Sequence, residues 1–151
     1  MHYITLNYYH NCINNTNMPM KSEINIWLYT VFVQSFKKDA NITISIVTKQ
    51  NIKQLNIKYL KKNKYTNVLC FPYNDLNNTK KIYGDIILCK QIIEQEALNQ
   101  KKILKAHWAH LIIHSSLHLL NFDHNNDNNA LKMESQEINI LNMLGYNNPY
   151  V

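Results

Sequence analysis

Residues 114–124 read HSSLHLLNFDH, which places three histidines and one aspartate within eleven positions. The apolar residues recurring ahead of this stretch predict a helix from about Ile103 to Leu120. On it, His114 and His118 stand one turn apart, about 40° around the axis and roughly 6 Å along it. Two imidazoles so placed can share a metal ion. His110 continues the row, but it lies about 12 Å from His118 along the axis. With metal–nitrogen bonds of about 2.0–2.1 Å, that is too far to reach the same ion. It is read as a neighbour of the ligands. A third ligand has to come from a chain that turns back, and Asn121 supplies a residue that tolerates the left-handed conformation ending a helix. His124 can then swing up to the ion, and Asp123 beside it can orient an imidazole or face solvent.

Three neutral imidazoles leave zinc dipositive with a fourth position open, as in hydrolytic sites and unlike closed structural ones. Water at such a site has its pKa lowered to about 7. The expectation is one zinc ion per chain, held by His114, His118 and His124. The spacing is also that of the H-E-x-x-H-x-x-G-x-x-H zinc proteases, whose general base is the glutamate after the first histidine. Here that residue is Ser115, which has no acid–base function near neutral pH. A zinc protease is therefore only a third reading.

The chain has 151 residues, the size of one compact domain, so 1–151 is expected to fold as a single unit. The apolar run INIWLYTVFV from Ile24 is broken by polar residues and too short for a membrane helix. Nothing near Met1 resembles a secretory signal, and the cytoplasm is the expected location, with no membrane partner. Cys12, Cys70 and Cys89 are far apart and form no C-x-x-C pair, so they are expected as reduced thiols packed as small apolar groups. The net charge of +6 and a pI of about 9.2 favour a polyanion partner. The same charge also follows from a composition rich in Asn, Ile and Lys. Arginine is absent, so phosphate contacts must come from lysines, backbone amides or the metal.

Along the chain, YITLNY from Tyr3 alternates like a strand, and a polar loop from Asn11 to Met18 follows. From Lys21, the residues Ile24, Trp27, Leu28, Val31, Phe32 and Ser35/Phe36 repeat at three and four, predicting a helix with one buried stripe. NITISIV reads as a strand with one face on the core. Ile52, Leu55, Tyr59 and Leu60 predict a short helix, and a lysine-rich link leads to the strand TNVLCF. A polar loop precedes IYGDIILC, where Gly84 marks a bend or a close backbone approach. Helices are expected at Gln91–Asn99, Ile103–Leu120 and Leu131–Leu144, with NNDNN from Asn125 a solvated loop and Gly145 a left-handed helix end. Four strands with about five helices make a layered α/β (α+β) domain.

The histidine stretch resembles the signature H-G-x-L-H-L-x-G-Y-D-H of the YbeY-type bacterial endoribonucleases. His114, Leu117, His118, Leu119, Asp123 and His124 match it, while Ser115, Asn121 and Phe122 replace Gly, Gly and Tyr. TNVLCFP from Thr66, GDIILC from Gly84, HWAHLIIH from His107 and the closing MESQEINILNMLGYNNPY are similar to further family segments. The resemblance implies a small mixed sheet flanked by helices with a zincin-like metal helix. It also implies a zinc-dependent, single-strand-specific endoribonuclease of 16S ribosomal RNA 3′-end maturation and ribosome quality control. Ribosomal RNA and the ribosome would be its partners, and DNA would not. The family's zinc histidines carry over to His114, His118 and His124.

Where the family has an RNA-contacting arginine, this chain has Leu60, and Lys61, Lys62 or Lys64 would have to supply the charge. Ser115 places a side chain next to a ligand where the family has none, and Cys70 stands for Ser. Asp85 is the one protein acid to weigh for catalysis, against a structural role at a strand end. Tyr59, Tyr65, Phe71 and Tyr73 are base-stacking platforms or core. The alternative reading is a ribosome-associated RNA-binding protein with a structural or vestigial metal site.

Overall fold

Strand β2 (Ala40–Val47) buries Ala40, Ile42, Ile44 and Ile46 completely, while the residues between them are only half-buried. That alternation puts one face of the strand on the core, and the rest of the fold is built around it. A computed structural model describes residues 1–12, 16–73 and 80–151. The polar loops expected after Asn11 and after Pro72 lie partly outside these residues.

Among the described residues the order is β1 (Ile4–His10), α1 (Lys21–Tyr29), β2, α2 (Lys49–Leu60), β3 (Val68–Tyr73) and β4 (Ile82–Cys89). Three helices follow, α3 (Lys90–Asn99), α4 (Leu104–Leu119) and α5 (Asp127–Met143). The sheet order is β1-β2-β4-β3; β1, β2 and β4 are parallel, and β3 runs antiparallel along the edge of β4. This is the mixed four-stranded sheet with five helices that the sequence leads one to expect.

The main core lies on one face of the sheet, where Ile42, Ile44, Ile46, Ile86 and Leu88 meet Trp108, Ile112, Ile113 and Leu117 of α4. On the other face Ile52 of α2 packs with Leu69 and Cys89. Cys12, Cys70 and Cys89 are all free thiols. No described helix is long and apolar enough to cross a membrane.

Three local outcomes differ from the sequence reading. The helix from Lys21 opens into a π-helical segment, Thr30–Ser35, in which Thr30, Val31, Phe32 and Val33 are all buried, where one stripe was expected. The Thr30 hydroxyl donates to the Ile26 carbonyl, and Ser35 donates back to Thr30, so the wider turn keeps its polar groups bonded. Tyr59 and Leu60, two of the apolar residues that predict α2, are 54% and 45% exposed at its end. NNDNN is not all loop: α5 starts at Asp127, because the Asn126 side chain accepts from the Asn129 amide at 2.8 Å and caps the helix.

Gly84 marks a close approach. A Cβ placed there would lie 2.6 and 2.8 Å from the Leu119 methyls and 3.2 Å from its Cγ. Leu119 is itself buried, so it has little room to yield. Gly84→Ala should therefore cost about 1–3 kcal/mol, read as a lower urea midpoint. An unchanged midpoint would show that Leu119 repacks freely.

Candidate metal centre

The core face of α4 fixes which way its polar face looks. Trp108, Ile112 and Leu117 point into the core, leaving His114 and His118 on a half-buried flank. Their Nε2 atoms are 3.2 Å apart. Two nitrogens at about 2.0–2.1 Å from one tetrahedral ion would stand about 3.3 Å apart, so the helix spacing alone sets a ligand pair.

The third imidazole arrives through the helix end. Asn121 has φ 71°, the Asn121 amide donates to the His118 carbonyl, and the Phe122 amide to that of Leu117, each at 3.0 Å. This paired pattern with a left-handed residue reverses the chain at once. Phe122 then stacks edge-on against Phe36, with centroids 5.5 Å apart, and anchors the reversal. His124 lies with its ring stacked on His114 and edge-on to His118. One ligand atom from each of His114, His118 and His124 falls within 4.8 Å of the others. Asp123 accepts from the His124 backbone amide at 2.6 Å and so shapes the turn.

The tautomers follow from the outer contacts. His118 Nδ1–H donates to the Phe122 carbonyl at 3.1 Å, and His114 Nδ1–H donates to Glu137 Oε1 at 2.5 Å. Both neutral rings therefore turn Nε2 lone pairs toward one point. Burial, and then the neighbouring His114 and His124, lower the pKa of His118, which disfavours a proton there. Two facing lone pairs with no proton between them fit a cation, and the all-nitrogen donor set suits zinc.

Glu137 of α5 is the functional residue missing from the sequence reading. It is fully buried and accepts from three side chains: His114, His110 Nε2 at 3.2 Å, and the Tyr150 hydroxyl at 2.6 Å. Burial alone would raise its pKa, but the bonds from His110, His114 and Tyr150 prevail and hold it at about 2. Tyr150 moves the opposite way, raised by burial and then by the Glu137 charge. Lys102 ties the same tail by donating to the Pro149 carbonyl at 3.0 Å. A readable trace existed: Glu137 falls on the buried stripe Met133, Ile140 and Leu141 of α5, where a lone carboxylate needs partners.

The other expected site residues are placed differently. Ser115 is 1% exposed and donates to the Leu111 carbonyl at 2.9 Å, so it lies in the core and does not crowd the ligands. Cys70 donates to the Ser115 carbonyl at 3.4 Å, and burial pushes its thiol up to about 12. Asp85 follows Gly84, which faces α4, so its side chain turns to the opposite face of the sheet. There it accepts from the Tyr73 hydroxyl, which raises the Tyr73 pKa to about 12. It sits inside β4 and holds a tyrosine, not backbone at a strand end. Lys61, Lys62 and Lys64 are exposed beyond α2, on that same far side; Lys61 ends the helix with φ 57°. The geometry does not bring Asp85 together with the histidines.

Comparison with known proteins follows the same residues. TM1509 from Thermotoga maritima, known from a solution structure, shares the fold with a TM-score of 0.59 at 19% identity, over 93% of this chain and 91% of its own. Endoribonuclease YbeY of Wigglesworthia glossinidia brevipalpis is 44% identical over 141 residues, 92% of each chain. Endoribonuclease YbeY of Buchnera aphidicola from Acyrthosiphon pisum is 44% identical over 150 residues, 98% of this chain and 96% of its own. The profile of the family described as Endoribonuclease YbeY matches residues 9–145, a span that holds the whole histidine centre and the carboxylate behind it. The signature that begins at His114 is thus one part of a likeness running nearly end to end, and the chain belongs to the YbeY endoribonuclease family.

Proposed function

We propose that this protein is a zinc-dependent endoribonuclease that trims single-stranded ribosomal RNA at the 3′ end of the 16S precursor and serves ribosome quality control. The observation that supports this most is the convergence of His114 and His118 Nε2 at 3.2 Å, with His124 beside them. Family membership supplies the reaction class, cleavage of RNA by an endonuclease. The reading includes one ion per chain, a single domain over 1–151, action in the cytoplasm and docking on the ribosome.

His114, His118 and His124 would hold the ion. Zinc bound there supplies Lewis-acid chemistry, polarising a phosphodiester and lowering the pKa of water. The chain's own residues prepare that chemistry. Glu137 keeps the His114 proton on Nδ1, and the Phe122 carbonyl does the same for His118, so both Nε2 atoms stay available. His124 is exposed, which leaves the rim of the centre open to an incoming strand. Asp85 faces the other side of the sheet, and the reading assigns no protein acid to the leaving oxygen.

A 3′-extended 16S fragment incubated with purified protein should lose its single-stranded tail, leaving 5′-phosphate and 3′-hydroxyl ends, and chelation should stop the cut. RNA that is bound yet never cut by zinc-loaded protein would overturn the reading in favour of a ribosome-associated binding protein. Leu60, an exposed apolar residue in the place of an arginine, is the feature that favours that second outcome.

A further inference from the structure

The missing arginine leaves open what grips the RNA backbone, and a second lysine cluster lies at the metal end of the sheet. Lys37 and Lys38 lead into β2, and Lys80 and Lys81 lead into β4. Ala40 pairs with Ile82 in the parallel register, so both lead-ins emerge at one rim. They line a shared basin of about 360 Å³ together with Asp39 and Tyr83. Asp39 is the one acid there and is already engaged: its carboxylate accepts from the Tyr3 amide at 2.7 Å and pairs with His2 at 3.4 Å. Lys81 Nζ sits 5.7 Å from the centre of the Tyr83 ring, and Lys37 Nζ donates to the Gln34 carbonyl at 3.0 Å.

Two contacts tie this rim to the histidines. Phe36, the neighbour of Lys37, packs on Phe122, whose carbonyl holds His118. Gly84, three residues after Lys81, touches Leu119, the neighbour of His118. Three strand residues span about 10 Å, so the basin and the centre lie at the same end of the sheet, within reach of one RNA strand. Lys61, Lys62 and Lys64 follow α2, whose Tyr59 packs on Phe71 with centroids 5.4 Å apart, and they serve as the comparison set.

We infer that Lys37, Lys38, Lys80 and Lys81 form the phosphate-binding track for the single-stranded RNA flanking the scissile bond. Clustered lysines supply the charge that single-strand binding uses along the backbone. The track takes over a duty that Leu60 cannot perform. It rests on the ribonuclease reading for the position of the cut, but its binding step can be measured without the cut.

The test uses His118→Ala protein, so that RNA is held and not consumed. Fluorescence anisotropy with a labelled single-stranded RNA oligonucleotide is read across a salt series for K37Q/K38Q, K80Q/K81Q and K61Q/K62Q/K64Q. Each phosphate left without its lysine should flatten the logarithmic salt dependence by about 0.7. Either rim pair should therefore flatten it by about 1.4 and weaken binding roughly tenfold near 0.15 M salt. The far-side triple variant should change little. In the active background the rim pairs should raise KM for a long RNA far more than they lower kcat. Rim variants that bind like the parent, or a loss confined to the far-side variant, would overturn the track. Absence of any cleavage by wild type, with the rim dependence of binding intact, would overturn the nuclease reading alone.

Discussion

His118→Ala abolishes metal retention and RNA cleavage together while the fold survives: that is the expected result of largest effect. His118 supplies one of the two Nε2 atoms at 3.2 Å, and its other nitrogen is held by a backbone carbonyl, so no neighbouring side chain can replace it. Residues that merely hold a ligand cost about 10–100-fold in metal affinity when removed, and a ligand itself must cost more. Zinc content after gel filtration, measured by atomic absorption, should fall to background. The metal-free variant should melt close to metal-free wild type, since removing the imidazole breaks its hydrogen bond to the Phe122 carbonyl, worth about 1 kcal/mol. Cleavage at the wild-type rate by a zinc-free variant would remove the metal from the mechanism. His124→Ala should do less, because His124 is exposed and the helix pair stays intact.

The second large effect belongs to Glu137. Glu137→Gln keeps the shape but removes the charge that His110, His114 and Tyr150 all address. An amide can also turn its NH₂ toward His114 and favour the wrong tautomer. Zinc affinity, measured by competition with a chromogenic chelator, should fall about 10–100-fold, and RNA affinity should not change. Glu137→Ala goes further, because it strips three donors, none of them fully buried, of their common acceptor. A cost of about 1–3 kcal/mol is expected, read as a lower urea midpoint. If the glutamine variant bound zinc like wild type, Glu137 would be a stability residue with no hold on the metal.

How much of this was legible in the sequence depends on the range of the interaction. His114 and His118 could be read because helix geometry carries four residues into one turn. Asn121 could be read because left-handed backbone selects few residue types. The strands showed in their alternation, and Gly84 in its place inside a β-rich run. Three things depended on tertiary partners and stayed hidden. The π-helical turn at Thr30–Ser35 buries successive residues because that segment is enclosed. Ser115 points into the core, which the metal spacing does not reveal. Glu137 reaches His114 across 23 positions, and only its place on an apolar stripe hinted at a partner. Asp85 shows the opposite limit: its place in a familiar run left chemistry and a structural role both open, and one residue of strand alternation turns it to the other face, where it holds Tyr73.

The bond that orients His118 ends on the carbonyl of Phe122, and every amino acid has that oxygen. The centre therefore asks position 122 for a backbone path, not for a functional group. A ring without its hydroxyl, as here, can stand where the signature has tyrosine, provided it still packs on Phe36. Asparagine can likewise stand for glycine at 121, because the requirement is an angle. The path from His118 to His124 is thus set by an angle and a carbonyl, and the side chains at 121 and 122 can change without moving it.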